Sequence, residues 1–315
     1  MRLAATRPAL ALASLSLLGS LAACGGGSEP DAAAGGGAAV AIDGVPTMKA
    51  DPALQALVPE DVAKAGRVAV ATNAPFPPYE MFTSETDQTI IGLEADLGHA
   101  VGNLLGVSFD FVQQPFDGLI PALQAGKHDI IMSTLFDTAE REQVVDMVNY
   151  SASGSGILVA RGNPEGIATP ADLCGKSVAV QTGSAQVTLV ESFSAACGGK
   201  GKISLKSLPQ YSDELLALGT GQAQAVVGDI PAISYSLAEK ANEGKFELVL
   251  DPAQPNGYES APVGVAVAKD SGLTEPIRQA LQKLMDDGTY DTLLTKWDVQ
   301  RIAVDKVTVN AAGAS

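Results

Sequence analysis

Apolar positions along the chain follow two spacings, one typical of buried strands and the other of amphipathic helices. Short apolar runs at 68–71 and 177–181 predict strands. Between 93 and 105 the leucines, alanines and valines recur every three or four residues and stop at Gly106, which predicts a helix. This alternation of strand and helix repeats as far as Trp297 and organises most of the chain.

The repeated strand–helix units predict two α/β lobes with largely parallel sheets. Further strands are predicted at 107–112, 129–132, 225–227, 246–250 and 263–268. Further helices are predicted to begin at Asp117, Thr138, Ser184, Ser212, Pro231 and Thr274, with a short one around Trp297. Ligands of such sheets bind at the carboxyl ends of the strands. The sequence therefore predicts that the ligand site is formed by the loops 72–80, 133–138, 182–186 and 228–230.

Composition narrows the classes of partner. The chain has 315 residues, of which 46% are apolar, and its 36 acidic and 20 basic residues give a net charge of −16. Nucleic acids and anionic membrane surfaces both require a basic patch. The charge therefore argues against either as the main partner.

The N-terminus is typical of an exported lipoprotein. Arg2 and Arg7 precede an apolar stretch from about 9 to 18, which is too short to span a bilayer. The stretch ends at Leu-Ala-Ala-Cys24, similar to the lipobox at which bacterial lipoproteins are cleaved and lipidated. We predict a signal peptide over 1–23 and a lipid anchor with a flexible Gly/Ala-rich linker over 24–59.

Two further cysteines, Cys174 and Cys197, remain once Cys24 is assigned to lipid. Outside the cytoplasm such a pair tends to be oxidised, so we predict a disulfide, with two free core thiols as the alternative. No metal site and no cofactor are expected, because the histidines at 99 and 128 lie far from these cysteines and no CxxC is present.

Four motifs stand out along the chain, namely GLEADLGHAVGNLLG at 92–106, FDGLIPALQAGKHDIIM at 116–132, DTAEREQVVDMVNY at 137–150 and GTYDTLLTKW at 288–297. In this order and spacing they resemble the extracellular solute-binding proteins of amino-acid ABC importers, family 3. The resemblance implies a type II periplasmic-binding fold, with the ligand held between two lobes joined by two hinge strands. It places lobe 1 at 60–153 and 263–315, and lobe 2 at 154–262. It also implies a monomer that takes up a free amino acid and delivers it to a membrane permease from the outer face of the bacterial membrane.

The resemblance assigns the two charged ends of an amino acid. Arg141, in the family's T-x-x-R motif, would bind the α-carboxylate through its planar fork. The alternative is an arginine paired with Glu140 or Asp137 on a solvated helix face. Asp229, after a lobe-2 strand, would accept the ammonium, with a helix N-cap before Pro231 as its alternative.

The remaining expected ligand contacts are polar or aromatic. The resemblance implies hydroxyl contacts at a strand end, main-chain contacts at a helix N-terminus and aromatic contacts at the cleft wall. These positions are Ser133, Thr134, Gly183, Ser184, Phe76 and Phe116. Ordinary core packing is the alternative for the two phenylalanines.

Two departures from the family favour a neutral ligand. Asn73 stands where several binders of basic amino acids have Asp, and Phe136 stands where Ser or Thr is frequent. We therefore expect a neutral or polar amino acid. Glu80 and Glu259 would restore a preference for a cation if they face the cleft.

Some relatives of this family are enzymes, such as dehydratases of cyclic acids, and others are sensors. The two histidines belong to no arrangement of nucleophile and base, so we expect a binding protein and not an enzyme. A dehydratase-like enzyme and a receptor for an amine other than an amino acid remain the alternatives.

Overall fold

The computed structural model describes residues 39–84, 86–249 and 251–313. The predicted signal peptide and the predicted lipidation residue Cys24 lie outside the described residues. In the described ranges, no helix is long and apolar enough to cross a bilayer.

Helices and strands alternate along the chain, as the apolar spacing predicted. The helices of the described residues are α1 Pro52–Gln55, α2 Glu60–Ala65, α3 Leu93–Leu105, α4 Leu119–Gln124, α5 Ala139–Glu142, α6 Ala185–Ala195, α7 Tyr211–Gly219, α8 Ile230–Ala238, α9 Thr274–Asp286 and α10 Thr289–Lys296. The strands are β1 Arg67–Thr72, β2 Met81–Phe82, β3 Ile90–Ile91, β4 Ser108–Gln113, β5 Ile130–Phe136, β6 Val145–Ala160, β7 Ser177–Gln181, β8 Ser204–Leu208, β9 Ala225–Asp229, β10 Phe246–Val249, β11 Tyr258–Ala268 and β12 Thr308–Val309.

Two parallel sheets are joined by two long antiparallel strands. One sheet has the order β4-β1-β5 and the other β9-β7-β8, with parallel pairing inside each. Strand β6 pairs with β11 over 145–155 and with β9 over 155–159, so it passes from one sheet into the other. This arrangement is the two-lobed α/β fold with paired hinge strands that the sequence predicted.

The hydrophobic cores also divide at the hinge strands. The first core, around α3, α9 and α10, includes Leu97, Leu281 and Leu294. Alternate residues of β6 then supply the two faces of the second sheet, because successive side chains of a strand point to opposite sides. Ile157 belongs to the hydrophobic core on one face of this sheet, and Leu158 belongs to the core on the other face. Each sheet is therefore covered by helices on both faces.

The folded body begins earlier than the linker prediction placed it. Ile42 and Leu54, inside the predicted linker, are buried in the first core. Asp51 caps α1 by accepting hydrogen bonds from the amides of residues 53 and 54. The amide of Asp51 also donates to the carbonyl of Leu104 at 2.9 Å, so the segment is bonded to the end of α3.

Several predicted helix limits are confirmed and others are corrected. Gly106 ends α3 in a left-handed conformation (φ +72°), and Thr138 caps α5. The prediction that Asp117 caps a helix is wrong, because Asp117 lies inside a 3₁₀ turn and α4 begins after Gly118. Helix α7 begins at Tyr211 and not after Ser212, and α10 ends before Trp297.

The predicted disulfide is confirmed. Cys174 and Cys197 are bonded, with their Cα atoms 5.5 Å apart. Cys174 stands just before β7 and Cys197 just after α6, in one of the two cores of the second lobe. The bond therefore joins a helix to the strand beneath it, inside a single lobe.

Candidate functional site

Four strands end at the same cleft between the lobes. Asn73 follows β1, and β5 carries Ser133 and Thr134 near its end. From the other lobe, the turn at 182–184 follows β7, and Asp229 ends β9. The carboxyl ends of parallel strands leave unpaired main-chain groups and side chains facing a common crevice. The loops expected from the sequence are thus brought together from both sides.

A small cavity of about 30 Å³ lies in this cleft. Eight of the ten predicted ligand residues line it, namely Phe76, Phe116, Ser133, Thr134, Phe136, Arg141, Ser184 and Asp229. Residues from both lobes are among them. A volume of this size holds about two water molecules.

Arg141 is buried, and no carboxylate is paired with its guanidinium among the described residues. Its Nη1 donates to the carbonyl of Phe136 at 2.7 Å and its Nη2 to the carbonyl of Gly183 at 3.2 Å. These bonds use two of the five guanidinium donors. Burial lowers the pKa of Arg141 to about 10, against raising contributions from nearby Glu140 and Asp137. The group stays a cation with donors available to an anion in the cavity.

Asp229 lines the cavity and also caps α8, the alternative considered for it. Its carboxylate accepts a hydrogen bond from the amide of Ala232 at 3.2 Å and another from the hydroxyl of Ser153. Tyr79, from the opposite lobe, also donates to it. Burial raises the pKa of Asp229 to about 6 despite these bonds. A nearby cation would bring the pKa back down and stabilise the carboxylate.

Thr134 presents a free hydroxyl to the cavity. Its Oγ1 is buried and has no hydrogen-bond partner among the described residues. Its backbone is left-handed (φ +49°), which is unfavourable for a β-branched residue, and its amide donates to Glu94 at 2.8 Å. Strained residues of this kind are held in place by their surroundings and cluster at ligand sites.

Asn73 and Gly183 lie beside the cavity and do not line it. Asn73 Oδ1 accepts a hydrogen bond of 2.9 Å from Gln181, which joins the two lobes. The carbonyl of Gly183 accepts the bond from Arg141, also across the lobes. These two residues hold the cleft together at its edge.

Aromatic rings from both lobes meet at the cavity. Phe76 packs edge-on against Tyr211, with ring centroids 5.3 Å apart, and stacks on Tyr79 at 6.0 Å. Because Phe76 belongs to the first lobe and Tyr211 to the second, this contact forms across the cleft. A planar cationic group is favoured beside such rings.

The acids named as alternatives for a cation lie elsewhere. Glu80 is buried below the cavity, where its Oε1 accepts a hydrogen bond of 3.0 Å from Ser133. Burial raises the pKa of Glu80 well above its usual range, and the neighbouring Glu94 raises it further. Glu259 is exposed and lines a neighbouring groove. Neither side chain lines the ligand cavity.

Four polar or aromatic cavity residues were not among the predicted ligand residues, namely Gln181, Gln186, Tyr211 and Glu214, and Ala185, Val227 and Gly228 complete the lining. Gln186 lies within the loop 182–186 that the sequence analysis named, and Gln181 is the last residue of β7, one position before that loop. Tyr211 and Glu214 belong to the first turn of α7, whose start was placed too late. Polar residues at a helix start otherwise indicate capping, and no sequence signal marks them as buried.

Glu214 is the deepest of these, at 1% exposure. Burial raises its pKa well above the usual range of a glutamic acid, with a further contribution from Asp213. Its Oε1 has no hydrogen-bond partner among the described residues.

A cleft between two α/β lobes, lined by a free buried arginine and a buried aspartate, is the architecture of a solute-binding protein. Over residues 68–300 the chain matches the sequence profile of the bacterial extracellular solute-binding proteins, family 3. The chain belongs to this family. The resemblance drawn from its four motifs is thereby confirmed.

Individual relatives bind amino acids. The arginine-binding protein ArgT of Corynebacterium glutamicum is 33% identical over 262 residues, covering 82% of this chain and 83% of that protein. A structure of an ancestral arginine-binding protein bound to arginine has a TM-score of 0.66 and 33% identity, and covers 74% of this chain and 98% of that one. The ancestral amino acid-binding protein AncCDT-1, a precursor of cyclohexadienyl dehydratase, has a TM-score of 0.65 and 30% identity, with 76% and 97% covered. These three relatives are binding proteins.

Proposed function

We propose that this protein is the substrate-binding component of an ABC importer and that it captures L-arginine. The observation that carries the proposal is that a buried arginine and a buried aspartate, one from each lobe, line the same cavity. An α-amino acid carries a carboxylate and an ammonium that both need partners when removed from water. Arg141 in lobe 1 binds the carboxylate, and Asp229 in lobe 2 accepts the ammonium.

The proposed ligand, arginine, differs from the neutral amino acid that Asn73 and Phe136 predicted. Asn73 was the main reason for a neutral side chain, but Asn73 does not line the cavity and its Oδ1 accepts a hydrogen bond from Gln181. Its identity therefore does not set the charge of the pocket. The relative from Corynebacterium and the ancestral structure are both arginine-binding proteins by name.

Binding requires the lobes to move apart and close again. The cavity of about 30 Å³ is too small for a free amino acid. The paired strands β6 and β11 cross between the lobes and provide the hinge. Because ligand contacts come from both lobes, a bound amino acid stabilises the closed arrangement, which a membrane permease then recognises.

Calorimetric titration of the purified protein tests the function. We expect saturable binding of L-arginine in the micromolar range or tighter, which corresponds to about −8 kcal/mol or better. Binding of glutamine or another neutral amino acid, without arginine, would support the neutral-ligand prediction instead. Conversion of a bound amino or cyclic acid, seen by chromatography of the recovered ligand, would identify an enzyme.

The lipid anchor is part of the same proposal. Cys24 follows the apolar stretch of a predicted signal peptide and would carry the lipid. Cys24→Ser is expected to release the protein from the membrane fraction of producing cells. Wild-type protein found free of membranes would contradict the anchor without affecting the ligand assignment.

A further inference from the structure

Glu214 occupies an unusual position for a glutamic acid. It lies in the first turn of α7, which packs against β7 and β9, and it is 1% exposed. Its side chain lines the cavity that also contains Arg141 and Asp229. An acid in the first turn of a helix is ordinarily solvated, where it stabilises the helix by its charge. Here it is turned inward to the ligand cleft.

Among the residues that the structure describes, no ion pair or hydrogen bond compensates for the burial of this carboxyl group. Its Oε1 has no hydrogen-bond partner, and none of the ion pairs in the described part of the chain includes it. An unpaired polar group removed from water is costly, and a buried carboxylate is more so. The missing partner has to enter the cavity from outside.

The charges around the cavity show what that partner is. Arg141, Asp229 and Glu214 are its charged lining residues. The carboxylate of an amino acid neutralises Arg141 and its ammonium neutralises Asp229. Glu214 then remains without a partner of opposite charge. All three charged residues have such a partner only when the side chain of the ligand is a cation. A neutral amino acid would leave a buried acid without a partner.

We propose that Glu214 determines specificity for amino acids with a cationic side chain by accepting hydrogen bonds from the guanidinium of arginine. This inference rests on the proposed function and names the residue that selects within it. A carboxylate matches the planar fork of a guanidinium with two parallel hydrogen bonds. Phe76 and Tyr211, which line the same cavity, add aromatic surface for the flat cation.

Paired titrations with arginine and citrulline test the role of Glu214. Citrulline has nearly the shape of arginine but an uncharged ureido group. We expect wild-type protein to prefer arginine by about 30-fold or more, because citrulline leaves the acid unpaired. Glu214→Gln should lose about 30-fold or more in arginine affinity and keep its citrulline affinity.

Asp213→Asn is the matched control, because it removes the same charge from the same helix turn but does not line the cavity. It should leave the arginine-to-citrulline ratio unchanged. A Glu214→Gln protein with the wild-type ratio would overturn the role of Glu214 and leave the arginine function standing. Wild-type protein that binds no arginine would overturn the function itself.

Proton release by wild-type protein is a second measurement that needs no variant. A guanidinium beside Glu214 favours its ionised form, so arginine should displace the proton that burial retains. The other charged groups around Glu214 are Asp213, its neighbour in sequence, and Asp229 and Arg141, which line the same cavity. Strand β8, which also packs on α7, carries Lys206. Citrulline has the same ammonium and carboxylate, so the difference between the two ligands isolates Glu214.

The measurement is calorimetry at pH 6 in two buffers with different ionisation enthalpies. Arginine should release about one proton more than citrulline. Equal release by the two ligands would contradict the proposal.

Discussion

Arg141 is held ready for an anion by main-chain groups alone. Among the described residues, its guanidinium donates two hydrogen bonds, both to carbonyls, one of its own lobe and one of the other. A carboxylate of the protein in that place would have competed with the ligand. The alternative in which Arg141 pairs with a neighbouring acid is not supported by the ion pairs of the described residues.

Arg141→Ala should abolish measurable arginine binding in calorimetry. The ligand carboxylate would be buried without its charged partner, which costs several kcal/mol. Arg161→Ala is the control, since that side chain is 68% exposed and lies outside the cavity. Full binding by Arg141→Ala would refute the site assignment.

Asp229 links function to stability at the scale of one residue. Its carboxyl group has a pKa of about 6, against an ordinary value of 3.8. A raised pKa means that the folded protein binds the proton more tightly than the unfolded chain. The stability that this proton adds to the folded protein is therefore complete below about pH 4 and is lost as the pH rises through about 6.

Asp229→Asn should weaken arginine binding strongly but lessen the decline of stability at rising pH. Between about pH 4 and pH 7 the wild type should lose about 2 kcal/mol of unfolding free energy that the variant retains. Urea unfolding at both pH values measures the difference. The other buried acids act in both proteins and cancel, so parallel curves would contradict the raised pKa of Asp229.

At the scale of elements, the disulfide reinforces one helix–strand contact in lobe 2. Cys174 and Cys197 are 23 residues apart, and neither cysteine lines the cavity. Closing a loop of this length restricts the unfolded chain more than the folded one. Its effect should therefore be on stability and not on ligand affinity.

Cys174→Ser should lower the free energy of unfolding by about 3 kcal/mol. Urea unfolding with and without reductant measures this, and arginine affinity should stay at the wild-type level. The double variant Cys174→Ser/Cys197→Ser is the control, because reductant should no longer change its transition. An unchanged midpoint after reduction of the wild type would show that the bond contributes no stability.

At the scale of the whole molecule, function depends on how closely the lobes approach. Gly183 (φ +79°) is a contact point, because a Cβ at this position would lie 3.1 Å from the Cα of Asp117 in the opposite lobe. Its carbonyl also accepts the bond from Arg141. Only glycine combines this backbone with so close an approach.

Gly183→Ala should therefore weaken arginine binding by hindering closure. Gly221→Ala is a matched control, since Gly221 has a similar φ of +72° but open space where the Cβ would be. Both variants should lose similar stability to backbone strain, as measured by urea unfolding. Equal arginine affinity in the two variants would show that closure does not depend on Gly183.

Regular periodicity allowed most elements to be predicted, and local exceptions were missed. Helix α3 was predicted with its end because its apolar face is continuous and a glycine follows. Strand β8 was missed because it is a short edge strand with mostly polar residues and no fully buried position. The early part of β11, from Tyr258, was missed because its residues alternate poorly.

The cavity residues that follow strands were predicted, and those in the first turn of α7, whose side chains point into the cleft, were missed. Arg141 and Asp229 stand in motifs and at strand ends, where the sequence carries a signal. Glu214 looks like a solvated acid at a helix start, and Asn73 looks like a ligand contact. Their opposite placements depend on how α7 packs on its sheet and on which side chains meet across the cleft.

The sequence by itself determined the alternation of strands and helices, the family and the cysteine pair, and it predicted the two charged residues that we propose for the ends of an amino acid. These follow from local spacing and from residue types at fixed positions in motifs. Only the tertiary structure decided which acid faces the ligand, which residues bridge the lobes and how little space lies between them. Those properties arise from contacts between segments far apart in sequence, and burial by such contacts turns Glu214 into a group that needs a cation.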